Sequence, residues 1–379
     1  MVDKDIIKFG DICREVKITT KDPFADGYER YIGLEHLDSG SLKIKRWGVI
    51  EEDNPSFTRV FKKGHLLIGK RRPYLRKAAV ADFDGICSSD IIVVEPKKSV
   101  IEKDLLPFII HSEEFWAWAI KTSSGSLSPR TKFKSLSEFK LKNIQPDVQK
   151  TLLDGLLSAE KSLQRVGEAL EQAYILKRIL ITKFFSKKFV SSFNYKEVYL
   201  RDVVNIQNGQ VDPTKEPYSE LPHIAPDNME KGTGKLIDYN LAKDDGVTSG
   251  KYYFDKSWVL YSKIRPNLRK LCFPKFSGIC SADVYPLKGR SGLKTEYLFY
   301  LLQSEHFNKY AISTSTRSGF PKINRDDLGA YRFYLPEEKA QILAISHIAE
   351  VDQTIEKLLS CLSGPVDIKK ALISKGIGL

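Results

Sequence analysis

From Asp147 to about Ser186 the chain contains no proline, and Leu153, Leu156, Leu163 and Leu170 recur at steps of three and seven. That spacing sets them on one stripe and predicts a long helix over 147–187 whose apolar seam meets another helix. The stripe returns at Ile345, Ile348, Ile355 and Leu362, and predicts a second helix over 337–379. There "SGPVD" (Ser363 to Asp367) should end or kink it. A helix of about 40 residues is on the order of 60 Å long, more than one small domain needs for its own core. The stretches before the helices, 1–146 and 188–336, mix short apolar runs with Gly, Pro, Asn and Asp. His65 to Gly69, Gly85 to Pro96 and Trp258 to Lys263 read as strands. Asp104 to Ile120 and Thr295 to Ile312 read as helices, each followed by a polar Ser/Thr-rich loop. The fold class is α+β.

The recurrence is not confined to the helices. "GKRRPYLRKAAVADFDGICSSDI" (Gly69 to Ile91) aligns without a gap to "SKIRPNLRKLCFPKFSGICSADV" (Ser262 to Val284), 193 positions later. Ile7 to Ile12 matches Val198 to Val203, and Ser112 to Phe115 matches Ser304 to Phe307. Lys177, Leu180 and Lys183 fall on Lys369, Leu372 and Lys375, while Glu160 and Asp352 share one position near the seam. The chain is therefore one unit of about 190 residues written twice, too long a period for a solenoid and large enough for a domain with its own core.

Composition narrows the class. With 379 residues, 42% apolar and 28% charged, the chain reads as a soluble protein of two or more domains. No run approaches eighteen apolar residues and the start has no signal-peptide pattern, so an intracellular, cytoplasmic protein without a membrane role is expected. Five cysteines without a CxxC pair indicate neither a disulfide framework nor a zinc site, and the repeat-matched Cys87 and Cys280 read as small buried residues. A net charge of +12 favours a polyanionic partner.

Two divergent domains, each followed by a long helix and each carrying the "RP-x-LRK … GICS-x-D" segment, resemble the specificity subunit of type I restriction-modification enzymes. The resemblance covers essentially the whole chain. It implies that 1–146 and 188–336 are target recognition domains, separated by a coiled-coil spacer of two antiparallel helices in a pseudo-two-fold arrangement. It further implies a non-catalytic chain that reads a bipartite, asymmetric site on double-stranded DNA. Methyltransferase (modification) subunits and restriction/translocase subunits would be its partners. No cofactor is expected in this chain; S-adenosylmethionine, ATP and Mg would belong to the partners.

The repeat helps to sort the DNA-contacting candidates. Residues identical in both halves cannot distinguish two different half-sites, so Lys70, Arg72, Arg76 and Lys77, with Lys263, Arg265, Arg269 and Lys270, are candidates for phosphate or scaffold roles. A solvated basic strand and turn is the plain alternative. Base readout should come from places where the copies diverge, above all Ser41 to Arg59 opposite Thr233 to Tyr253. Arginine suits guanine and asparagine suits adenine, which selects Arg46, Arg59, Asn240 and Asn267. The loops Thr122 to Lys132 and Thr314 to Lys322 offer hydroxyls, amides and a cation, fit for phosphate or simply for a surface turn.

Rival functions have weaker support. "DNPSF" (Asp53 to Phe57) partly matches the Asn-Pro-Pro-Tyr motif of amino-methyltransferases, but lacks its second proline and any accompanying glycine-rich cofactor loop. The acidic groups of Pro146 to Lys150 and Glu337 to Lys339 sit at helix starts, where acidic residues are expected without catalysis. The six histidines have no metal-ligand spacing. A coiled-coil adaptor that binds proteins only is the alternative function.

Overall fold

The computed structural model describes residues 6–97, 101–315 and 321–376. They form two compact units, one of residues up to Gly167 together with those from Ser360 onward, the other of Glu168–Leu359. The divisions fall at Gly167 in the first long helical stretch and at Ser360 in the second, so each unit holds a part of both.

The first unit is built on two four-stranded sheets. One has the order Cys13–Glu15, Ile91–Pro96, Leu66–Gly69, Ala78–Val80, all antiparallel. The other has the order Gly48–Val49, Arg30–Ile32, Gly85–Cys87, Arg59–Phe61, with one parallel pair between Arg30–Ile32 and Gly85–Cys87. Successive side chains of a strand face opposite ways, and here both faces are covered. Leu66, Ile68, Ile92 and Val94 join a core with the helices, while Leu67, Ile91 and Val93 join a second core with Ile32 and Phe61. Burial on both faces is why these strands read as unbroken apolar runs.

The second unit repeats this plan. Its sheet order is Val204–Ile206, Val284–Gly289, Val259–Ser262, Leu271–Cys272, and its smaller sheet runs His223–Ile224, Gly278–Cys280, Tyr252–Phe254. The counterpart of Gly48–Val49 shrinks to one bridge, Pro222 to Leu241. The register also repeats: Leu66 faces Val94, and Val259 faces Leu287. The recurring "GIC" has a steric cause. A Cβ on Gly85 would lie 2.5 Å from the Arg30 carbonyl, and one on Gly278 would lie 2.7 Å from that of Pro222. Cys87 and Cys280 are fully buried, and burial pushes the Cys87 thiol up to about 12.

Several predicted elements are subdivided. The run Gly85 to Pro96 is two strands in different sheets, parted by a turn in which Ser88 Oγ accepts from the Asp90 amide at 3.2 Å. The helix expected over Asp104 to Ile120 breaks after Ile110 and restarts as Glu113–Lys121; Thr295 to Ile312 becomes Thr295–Leu301 and Glu305–Thr314. The cause is the same in both. Ser112 and Ser304 act as N-caps, accepting from the amides of Phe115 (3.0 Å) and Phe307 (3.3 Å), and a cap ends the preceding helix.

The first long helix is Pro146–Phe184, after which Ser186 caps a separate turn, Lys187–Val190. The second is two helices, Glu338–Ser360 and Ser363–Gly376. The interruption falls at Cys361 and Leu362, with Gly364 and Pro365 inside the first turn of the new helix, where an absent N–H costs no intrahelical bond. Leu156, Leu170, Ile348 and Ile355 of the predicted seam are buried; Leu153, Leu163, Ile345 and Leu362 are only half-buried. The deeper stripe also includes Leu152, Ala159, Ala173, Ile181 and Phe184. In the first unit Leu152, Leu156 and Ile373 belong to the core that holds Phe108 and Trp116; in the second, Ile181, Phe184 and Ile348 belong to the core that holds Tyr297 and Phe307. The seam therefore serves two surfaces, the neighbouring helix and the domain beneath it.

Within each unit the helices run antiparallel. A Cβ on Gly155 would meet the Leu372 side chain and one on Gly376 the Leu152 side chain, so each glycine leaves room for a leucine of the facing helix. At the start of each long helix a buried glutamine joins it to the domain. Gln149 donates to the Ile144 carbonyl at 2.7 Å and accepts from the Glu102 amide at 2.7 Å; Gln341 donates to the Pro336 carbonyl at 2.9 Å and accepts from the Lys294 amide at 2.9 Å. Buried amides must be satisfied, and both are.

Candidate nucleic-acid interface

The basic repeat is a turn whose shape is fixed by the backbone and by a neighbouring loop. The Lys70 amide donates to the Asp90 carbonyl (2.8 Å) and the Arg72 amide to that of Pro129 (2.7 Å), while Thr131 donates back to the Lys70 carbonyl (2.9 Å). The second copy makes the same set: Lys263 to Asp283 (3.0 Å), Arg265 to Pro321 (2.8 Å) and Ile323 to Lys263 (2.9 Å). The loops after the helices are thus tied to the turns at Pro129 and Pro321. Residues 316–320 of the predicted Thr314 to Lys322 loop lie outside the described residues.

Arg72 then adopts a left-handed conformation (φ 54°), Pro73–Leu75 form a single 3-10 turn, and Arg76 is left-handed again (φ 50°). Arg265, Pro266–Leu268 and Arg269 repeat this with φ 48° and 50°. Among the described residues six non-glycine residues have positive φ, and four are these arginines. Such backbone is uncommon outside glycine and persists only where the surroundings hold it, which makes the turn a place where a fixed shape matters. Pro73 and Pro266 are buried beneath it, and Arg72, Arg265, Tyr74 and Asn267 are exposed on top.

The cations common to both copies differ in their partners. Arg76 binds Glu113 at 2.7 Å and Arg269 binds Glu305 at 2.6 Å, anchoring the turn to the helix behind it. Lys77 donates to the Leu34 carbonyl at 2.6 Å and Lys270 to that of Pro226 at 2.8 Å. Lys263 lies 3.4 Å from Asp283. Burial and the Lys322 cation lower its pKa, against the pull of Asp283. Lys70 is half-buried at the strand exit. Of the eight candidates, Arg76, Arg269, Lys77, Lys270 and Lys263 thereby have partners within their own domain, Lys70 is half-buried, and Arg72 and Arg265 are exposed.

Of the four base-reading candidates, only Asn267 lies on this turn. Arg46 donates to the Glu35 carbonyl at 2.8 Å and to Asp38 at 2.6 Å. Arg59, 24% exposed, donates to the Val16 carbonyl at 3.2 Å with Glu15 at 3.6 Å. Asn240 donates to Asp245 at 2.9 Å, which also binds His223 Nδ1 at 2.8 Å. These three are committed to contacts within their own domains, because each diverged segment folds back on its own sheet. Asp53 and Asn54 of the "DNPSF" segment are likewise structural. Tyr31 donates to Asp53 at 3.0 Å, and left-handed Asn54 closes a helical turn at φ 43°. The residue that sequence reasoning missed is Tyr74, 50% exposed, at the position that Asn267 occupies in the second copy. The gapless alignment of the two turns was the signal that could have found it.

Paired sheets, a helix shared between two repeated units and a duplicated cationic turn define a class, that of two-domain α+β proteins built from one repeated unit. Residues 193–362 match the type I restriction modification DNA specificity domain. The chain is 36% identical over 143 residues to the type I restriction enzyme EcoDI specificity subunit of Escherichia coli, covering 37% of this chain and 32% of that subunit. It is 22% identical over 402 residues to the MjaVIII specificity subunit of Methanocaldococcus jannaschii, covering 93% of this chain and 87% of that one. Among solved structures, the type I restriction-modification S subunit of M. genitalium superposes with a TM-score of 0.60 at 12% identity, covering 98% and 95% of the two chains. A chain from a study of type I restriction-modification assembly gives 0.53 at 17% identity, covering 98% and 96%. Residues 193–362 thus carry a type I specificity domain, and the chain spans about a third of the length of the E. coli subunit to which it is 36% identical.

Proposed function

We propose that this chain is the non-catalytic subunit that reads a bipartite, asymmetric DNA target and directs methyltransferase and restriction subunits to it. One observation carries the reading: both domains display the same exposed, backbone-locked arginine turn, and the residue at its tip differs between them. Phosphate contacts position a protein on DNA and base contacts specify the sequence, so a cation common to both copies beside a tip that differs between them suits both tasks. The net charge of +12 supports a polyanionic partner. Among the described residues there is no cluster of His, Cys, Asp and Glu that could hold a metal ion, and no helix long and apolar enough to cross a membrane. S-adenosylmethionine, ATP and Mg are assigned to the partner subunits, and the complex to the cytoplasm. The test is DNA binding by the chain alone and with its methyltransferase partner at low salt. Sequence-selective retention supports the proposal, whereas assembly with protein and no affinity for DNA would make the chain a coiled-coil adaptor.

A further inference from the structure

The two turns differ at few positions, and the structure sorts those differences. Arg71 and Ile264 diverge, but Arg71 Nε is spent on Ser128 Oγ at 2.6 Å. Leu75 and Leu268, like the prolines and flanking arginines, are identical in the two copies. What remains is Tyr74 opposite Asn267. Both are exposed, neither side chain has a hydrogen-bond partner among the described residues, and each stands between a buried proline and an exposed or half-buried leucine. Each is also bracketed by two left-handed arginines, the first held through its amide and the second through a carboxylate. The backbone under the variable side chain is therefore the same in both domains and already ordered, so little entropy is lost when the side chain meets a ligand.

We infer that this position, Tyr74 in the first domain and Asn267 in the second, reads a base in each half-site. The inference rests on the DNA-reading function proposed above. The Asn267 amide offers one donor and one acceptor side by side, the pattern that pairs with adenine in the major groove. Tyr74 offers a single hydroxyl and an apolar ring, which gives a different and less sharply selective reading from the same place. The domains thus share one reading position and differ in the chemistry placed on it. Arg72 and Arg265, two residues upstream, supply the adjoining phosphate contact.

The experiment uses the full chain produced with its methyltransferase partner, with methylated sites sequenced for the wild type, Asn267→Ala, Asn267→Tyr and Tyr74→Asn. Asn267→Ala and Asn267→Tyr should each relax or change one position of one half-site, with discrimination for adenine there falling about tenfold to a hundredfold. Tyr74→Asn should change one position of the other half-site. Binding to oligonucleotides substituted at that position, with thermal unfolding run alongside, separates lost reading from lost folding. An unchanged motif in folded variants overturns the inference alone. A wild-type complex that marks no two-part site overturns the function as well.

Discussion

Lys369 donates a hydrogen bond to Glu160 at 2.7 Å, and the repeat returns the same bond with its partners exchanged between helices: Lys177 lies 2.8 Å from Asp352. Each ammonium also faces an aromatic ring at matching positions, Phe108 at 5.5 Å for Lys369 and Tyr300 at 5.9 Å for Lys177. In each unit one buried or nearly buried cation on one helix thus fixes its register against a carboxylate on the other.

Removing Lys177 should be expensive. It is 6% exposed, and among the described residues Asp352 would keep the Tyr300 hydroxyl at 2.9 Å as its hydrogen-bond partner. Lys177→Met is expected to lower stability by about 3 kcal/mol, since breaking a buried pair strands the remaining charge. Exchanging the pair, Lys177→Glu with Asp352→Lys, should recover part of that loss in denaturant unfolding. No recovery would mean that the charges do not set the register.

A pH dependence follows from His111. Burial, reinforced by Lys369 and opposed by a bond to the Ala78 carbonyl, lowers its pKa from 6.5 to about 4. The folded chain therefore resists a proton that the unfolded chain accepts near 6.5. Its contribution is fully present above that pH and is lost as the pH falls from 6.5 through 4, about 3 kcal/mol in all. Gln303 holds the equivalent place in the second copy, so His111→Gln should flatten the acid limb of a stability-versus-pH curve.

Much of this plan is legible in the sequence, for physical reasons that differ by element. Strands such as Leu66–Gly69 and Val259–Ser262 are buried on both faces and declare themselves as apolar runs. Leu156, Leu170, Ile348 and Ile355 show their seam because a helix repeats its face at short range. Periodicity could not reveal that Ser112 and Ser304 cut their helices, since a cap is one hydrogen bond inside an otherwise continuous pattern. It also could not show that Leu152 and Ile373 reach into a domain core, or that Arg46 and Arg59 are spent on Asp38 and Glu15. Those partners are set by tertiary folding.

Arg72 and Arg265 test the division between positioning and reading. Arg72→Ala or Arg265→Ala should weaken binding to all sequences and reduce the salt slope of the affinity by about one. The methylated motif should stay the same. A changed motif would move these arginines into the reading group.

Shortening the chain tests the duplication. A fragment ending after Ser186 keeps Leu152 and Leu156 but loses Leu372 and Ile373, while its own residues 171–184 are the repeat counterpart of 363–376. A second copy can supply what is missing, with Lys177 of the second copy opposite Glu160, and two identical halves then form a true two-fold. The fragment's mass in solution should be that of a dimer, and with the methyltransferase its sites should be an inverted repeat of one half-site. A monomer would show that the halves are not equivalent.

The central claim is that two independent domains each read half of one DNA target. Methylome sequencing of cells carrying the chain with its methyltransferase tests it most directly, before and after the whole first domain, residues 1–146, is exchanged for a recognition domain of different sequence. The account predicts a two-part motif at the outset, with one half altered and the other intact after the exchange. A single contiguous motif, or a change in both halves, would contradict it.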